Sequence, residues 1–177
     1  ENEHEVKHMN RCFNITGCCN PQEHYMVNPD SRLAQIKEMV DKGQYFCINH
    51  GQQYGKTTIL KALQAYLKEE YTVIRIDFQF ISTSEFATES VFVKALARLL
   101  WSRYRREMPG EIEEQIKQIK QSLNHTEVDL FTVLSRWCAV SSKPIILIVD
   151  EADHPGNSQT FLDFLAQLRG RFLARNK

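Results

Sequence analysis

The sequence predicts an α/β fold, a P-loop NTPase-type parallel sheet flanked by helices, on three observations. Apolar strand-like runs alternate with amphipathic helical stretches over 30–177. The apolar run Phe46-Cys47-Ile48 leads into a loop ending Gly55-Lys56-Thr57-Thr58, which opens a helical pattern. Further on, Ile145-Ile146-Leu147-Ile148-Val149 ends in Asp150-Glu151, as a buried parallel strand with acids at its C-terminal end would. Ligand sites of such sheets lie beyond those strand ends.

The elements follow in order. Residues 1–29 are rich in Asn, Cys, Pro and His and read as an irregular arm. Asp30-Ser31 can cap a helix running to about Lys42, with Leu33, Ile36 and Val40 on one face and Gly43 as its stop. Phe46-Cys47-Ile48 is the first strand, read as buried, and Lys56 to Lys68 the helix after the loop. Thr72 to Phe78 clusters β-branched residues as a second strand, with Asp77 at the ligand edge. Ser82 and Glu85 form a capping-box pattern ahead of the stripe Phe86, Phe92, Leu96, Leu99 and Leu100, and Pro109-Gly110 ends that helix. Ile112, Ile116, Ile119 and Leu123 mark the next helix, and Val128, Phe131, Leu134 and Trp137 another. After the acidic strand, Asn157 or Ser158 caps a last helix carrying Phe161, Phe164, Leu165, Leu168 and Phe172.

The loop Gly51-Gln52-Gln53-Tyr54-Gly55-Lys56-Thr57-Thr58 has the chemistry of a nucleotide-phosphate cradle. Gly55 takes conformations closed to other residues, and the helix N-terminus turns its partial positive charge toward an anion. Lys56 supplies a compact cation for the terminal phosphates and Thr57 a hydroxyl for Mg. Asp150 would join Thr57 in the Mg shell, since Mg takes hard oxygen ligands and keeps several waters. Glu151 is the candidate general base for an attacking water, with Lys56 as its catalytic partner. The loop departs from the usual G-x-x-x-x-G-K-[ST]: His50 stands at the first glycine position and Gly51 comes one residue late. Asp150-Glu151-Ala152-Asp153 lacks the D-x-x-G of a GTPase, which favours ATP.

Composition bounds the alternatives. The chain has 177 residues, 42% of them apolar, enough for a proper core. Lys plus Arg and Asp plus Glu each total 22, so no net charge draws it to nucleic acid. No long apolar run suggests a membrane span or leader, and the cytoplasm is the expected compartment. Five cysteines, Cys12, Cys18, Cys19, Cys47 and Cys138, form no regular framework and read as free thiols, with Cys47 and Cys138 in the core. Cys12, Cys18, Cys19 and His24 match no usual zinc spacing.

With those motifs in place, the sequence resembles the bacterial AAA-ATPase-like family, whose longer members carry a PD-(D/E)xK nuclease-like domain. The resemblance rests on His24-Tyr25-Met26-Val27, Tyr45-Phe46, Gln53-Tyr54-Gly55-Lys56-Thr57-Thr58, Ile76-Asp77-Phe78, and Val149-Asp150-Glu151-Ala152-Asp153 running into Phe161-Leu162-Asp163-Phe164-Leu165-Ala166-Gln167-Leu168-Arg169. It implies an ATP-binding fold with Lys56 and Thr57 on phosphate and Mg, Asp150 on the Mg shell and Glu151 as base. Relatives tend to carry arginines where this chain has His50 and Gln52, so the resemblance also implies a weakened loop, and it carries over no nuclease activity. Sheets of this kind normally continue with sensor-bearing strands; the chain therefore reads as the N-terminal portion of the ATPase domain, truncated after the acidic strand and one helix. Met9 reads as a possible start.

The functional expectation is an ATP-binding protein that hydrolyses ATP with Mg. The alternative is a non-catalytic, nucleotide-gated or degenerate interaction module with a protein partner or self-association. A third reading, nucleic-acid binding through Arg103-Tyr104-Arg105-Arg106, competes with an ordinary solvated helix end. Arg169, Arg171 and Arg175 include a candidate finger for another subunit. Asp153 either supports the acidic site or caps the next helix, and His24 and His154 read as loop histidines.

Overall fold

The computed structural model describes residues 12, 22–25, 28–49, 55–156 and 158–174, and the chain divides into two compact units, Glu1–Glu69 and Glu70–Lys177. The structure is helix-rich α/β with a two-stranded parallel sheet among the described residues.

In the first unit, α1 (Asp30–Asp41) and α2 (Lys56–Leu67) pack together, burying Leu33 and Ile36 of one and Leu60, Leu63 and Leu67 of the other. The expected Asp30-Ser31 cap is corrected to one residue earlier: Pro29 holds the cap position, and Asn28 Oδ1 accepts the Asp30 N–H at 2.8 Å. Gly43, at φ 61°, ends α1 by letting its own N–H reach the Val40 carbonyl (2.7 Å) while Gln44 N–H reaches that of Met39 (3.0 Å). The buried strand expected at Phe46-Cys47-Ile48 is not formed. Residues 44–49 carry no strand, and Cys47 is exposed. An apolar triplet becomes a strand only when a neighbour takes up its main-chain hydrogen bonds. His50, Gly51, Gln52, Gln53 and Tyr54 lie outside the described residues, as does most of the arm. Within the arm, Cys12 pairs with His24 in an isolated bridge.

In the second unit, β1 (Thr72–Asp77) lies parallel to β2 (Ile145–Asp150), in a register that sets Thr72 against Ile145 and Asp77 against Asp150. Between them run α3 (Glu89–Tyr104), α4 (Gly110–Gln121) and α5 (Glu127–Val140), and α6 (Gln159–Ala174) follows β2. Side chains alternate between strand faces. Ile74 and Ile76 of β1, with Ile145, Leu147 and Val149 of β2, join the helical core. Val73, Arg75 and Asp77 share the opposite face with Ile146, Ile148 and Asp150. The core centres on phenylalanines: Phe78 lies 4.8 Å from Phe161 edge-on, and Phe164 lies 5.4 Å from both Phe92 and Phe131.

Several sequence expectations shift here. The Ser82–Glu85 capping box exists, but it caps a short 3-10 turn (Thr83–Phe86); α3 begins at its own cap, Thr88, whose hydroxyl accepts the Val91 N–H. That helix ends at Tyr104 rather than at Pro109-Gly110, and Pro109 instead takes the cap position of α4. The five apolar residues of β2 are only half-buried, Leu123 and Val128 are exposed, and Cys138 is exposed rather than core.

Candidate functional site

Two places carry the residues singled out by sequence, one in each unit. In the first unit Gly55 takes a left-handed conformation (φ 74°, ψ 24°) directly before α2. No added Cβ would meet anything within 4 Å there, so the glycine is required by its backbone angle and not by crowding. Lys56 and Thr57 then form the first turn of α2, half-buried, with Thr58 behind them. Gly55 at the cap position has no side chain to cap this helix, and the first turn holds no acid, whereas α1, α3, α4 and α5 each begin with at least one. The N-terminal partial positive charge is therefore not offset by the helix's own side chains.

In the second unit the C-terminal ends of β1 and β2 bring together three ionised groups on one face. Asp77 and Asp150 lie directly opposite in the register, and Arg75, two residues before Asp77, projects on their side. Asp77 Oδ1 accepts the Gln79 N–H at 3.1 Å, and Asp150 Oδ1 accepts the Glu151 N–H at 3.0 Å. Both carboxylates thus spend one oxygen on the chain that follows them. Each turns its Oδ2 toward one guanidinium nitrogen: Arg75 Nη2 donates to Asp150 and lies 3.9 Å from Asp77. Both side chains are largely buried, with 11% of Asp77 and 6% of Asp150 exposed. Two buried negative charges facing one positive charge form a hard-oxygen set of the kind that suits a divalent cation. Among the described residues no group of three or more His, Cys, Asp or Glu side chains is placed to hold a metal, so any metal here would draw further ligands from water or phosphate.

Arg75 is itself held in place by Tyr104. Its N–H donates to the Tyr104 hydroxyl at 2.7 Å, and that hydroxyl donates to its carbonyl at 3.1 Å. These main-chain groups point away from β2, so one buried phenol closes the outer edge of β1 where another strand would otherwise pair. Burial pushes the Tyr104 phenol up from its ordinary range.

Glu151 follows β2 in the left-handed region at φ 53°, among the described residues the one non-glycine there. A side chain in that region costs energy, and such outliers concentrate where function over-determines geometry. The turn is closed by His154, whose N–H reaches the Glu151 carbonyl at 3.0 Å and whose Nε2 lies 3.2 Å from the Ile81 carbonyl oxygen. Asp153 is exposed, and its carbonyl accepts the Gly156 N–H at 3.2 Å.

Other candidates take structural work. Arg103 lies 4.7 Å over the Phe80 ring and Arg105 4.7 Å over Trp101, which Lys120 also covers at 3.2 Å. With Tyr104 buried, the Arg103-Tyr104-Arg105-Arg106 run is not a free basic stripe. Arg171 stacks 4.8 Å over Phe131, and Arg175 lies outside the described residues. Cys18 and Cys19 also fall outside them, leaving only Cys12 and His24 of the drawn zinc set.

Sequence reasoning missed Arg75, Tyr104 and Glu127. Arg75 had a signal, because strand alternation puts it on the Asp77 face. Glu127 had none beyond being a first-turn acid. It is 1% exposed at the start of α5, its Oε2 accepts from Gln167 Nε2 at 2.5 Å, and its Oε1 has no hydrogen-bond partner among the described residues. Burial, aided by Glu89 and Asp163, raises its carboxyl to about 7.

No curated protein and no solved structure matches the chain. A family model described as "Nephrocystin 3, N-terminal" matches residues 30–175, from the first residue of α1 to just beyond the end of α6. The chain belongs to the nephrocystin 3 N-terminal family.

Proposed function

We propose that this protein binds ATP with Mg through a P-loop and hydrolyses it. The observation that carries the reading is the turn at Gly55: a left-handed glycine opens α2 onto Lys56 and Thr57 at a helix start with no first-turn acid. Asp150-Glu151 at the end of an apolar parallel strand supports it from the second unit. In this reading Lys56 binds the terminal phosphates, Thr57 and Asp150 hold Mg, and Glu151 orients and deprotonates the attacking water. Mg, when bound, would neutralise charge developing on the phosphates.

At finer grain, the proposed kinship is with bacterial AAA-ATPase-like proteins, on the motifs given above. A cytoplasmic setting suits the free thiols Cys12, Cys47 and Cys138.

A second reading, a nucleotide-gated interaction module without turnover, is favoured by Arg75 occupying the Asp150 carboxylate. Glu151→Gln separates the two. A hydrolase loses phosphate release while retaining bound ATP, whereas a wild-type chain that binds ATP and releases no phosphate sinks the hydrolytic reading and leaves the module.

A further inference from the structure

Arg75 faces two carboxylates with one nitrogen. Its Nη2 donates to Asp150 Oδ2 and stands 3.9 Å from Asp77 Oδ2, while its buried Nε has no hydrogen-bond partner among the described residues. The guanidinium is thus under-used where it sits: one nitrogen is shared unequally and another is orphaned, although its fork is built for bidentate pairing with a single carboxylate. Main-chain amides hold the two acids by their other oxygens, Gln79 N–H on Asp77 and Glu151 N–H on Asp150. Tyr104 fixes the backbone of Arg75 from the strand edge. The backbone and the acids are therefore tied, and the arginine side chain is the part with somewhere to go.

We propose that Arg75 is a cation latch on Asp150: it neutralises that carboxylate in the empty protein and swings onto Asp77 to release it when Mg arrives with nucleotide. The inference rests on the Mg-binding role proposed for Asp150. Charge supplies the driving force. Asp150 without a cation would be a buried, unpaired anion, and Asp150 sharing both Arg75 and a metal would crowd two cations on one oxygen. Moving Arg75 to Asp77 leaves each carboxylate with its own cation and offers the orphan Nε an acceptor. The latch makes the site poor at taking free divalent ions and selective for those delivered with phosphate, whose negative charge helps compensate the displaced guanidinium.

The test uses Mn2+ alone as probe, with the whole chain and no nucleotide, measured by electron paramagnetic resonance. Arg75→Gln removes the resident cation and is expected to bind Mn2+ on the order of ten- to a hundredfold tighter than wild type. Asp150→Asn in the Arg75→Gln background, which deletes the carboxylate that the latch covers, should remove most of that gain. A folded Arg75→Gln chain with wild-type Mn2+ affinity overturns the latch. Should that variant fail to fold, the wild-type Arg75 Nε–H resonance decides: it moves on addition of Mg·ATP if the guanidinium changes partner, and an unmoved resonance at saturating Mg·ATP overturns the proposal. Failure of the ATP reading looks different. Wild type would then bind no ATP while Arg75→Gln still gained Mn2+ affinity, whereas Mg·ATP binding in wild type with no gain in Arg75→Gln retires the latch alone.

Discussion

The Tyr104 hydroxyl bonds both main-chain polar groups of Arg75, accepting from its N–H at 2.7 Å and donating to its carbonyl at 3.1 Å. A side chain from the last turn of α3 thus stands in for a neighbouring strand, and it ties the helix to the strand that carries Arg75 and Asp77. Tyr104→Phe keeps the ring and strands both groups. It is expected to cost roughly 1–3 kcal/mol, because buried main-chain groups lose their partner without access to water. Urea unfolding should show a lower midpoint with an unchanged slope; an unchanged midpoint would mean that water replaces the phenol.

Glu127 makes stability depend on pH in an unusual direction. Its carboxyl is raised from 4.5 to about 7 in the folded chain, first by burial and then by Glu89 and Asp163. Between those values the native state holds a proton that the unfolded state has lost. The contribution is fully present below the unfolded value and disappears as pH rises to about 7, where it has lost on the order of 3 kcal/mol. Glu127→Gln keeps the shape and the Gln167 neighbour without the titration. The stability difference between the two chains, followed from pH 4 to pH 8, should widen in favour of the variant; a difference independent of pH would contradict the assignment.

Phe164 is fully buried, with its ring near Phe92, Phe131, Phe78 and Phe161. It links α6 to α3, α5 and the 3-10 turn Phe78–Phe80 that follows β1. Phe164→Ala is expected to cost about 3–5 kcal/mol through lost burial and the cavity left behind. Calorimetric unfolding measures it, and a loss under about 1 kcal/mol would show that α6 carries little of the core.

Glu151 offers a separation of strain from chemistry. Asn tolerates the left-handed region better than Glu, so Glu151→Asn should hold stability or raise it by up to about 1 kcal/mol while abolishing any turnover. Glu151→Val, β-branched in the same place, should lose about 1–2 kcal/mol. Thermal melts of the two variants check the order, and a valine variant as stable as the asparagine variant would remove the strain argument.

Local pattern made much of the second unit legible. The stripes Phe92-Leu96-Leu100 and Ile112-Ile116-Ile119 are buried as their helical spacing implies, and both strands lie within a residue of where β-branched clustering puts them. Phe46-Cys47-Ile48 failed because a strand is a pairing and not a property of three residues. Cys138 failed because it sits beside apolar neighbours on the outward side of α5, where helical phase outweighs composition. At the candidate site the acids were legible as strand-end residues, and alternation set Arg75 on the Asp77 face, but its pairing with Asp150 was not legible. Arg75 reads as an ordinary outward-facing charge in a strand until the register sets Asp150 across from Asp77. Tyr104 was masked by the arginines around it, and Glu127 by the ordinary preference for acids in a helix's first turn.

Nucleotide binding at the Gly55-Lys56-Thr57 turn is decided by calorimetry of Mg·ATP with the wild-type chain and with Lys56→Ala. The wild-type chain is expected to bind saturably, and the binding to disappear in a variant that retains the same helical content. A folded wild type that takes up no ATP, or a Lys56→Ala chain that binds it as well as wild type, would contradict it.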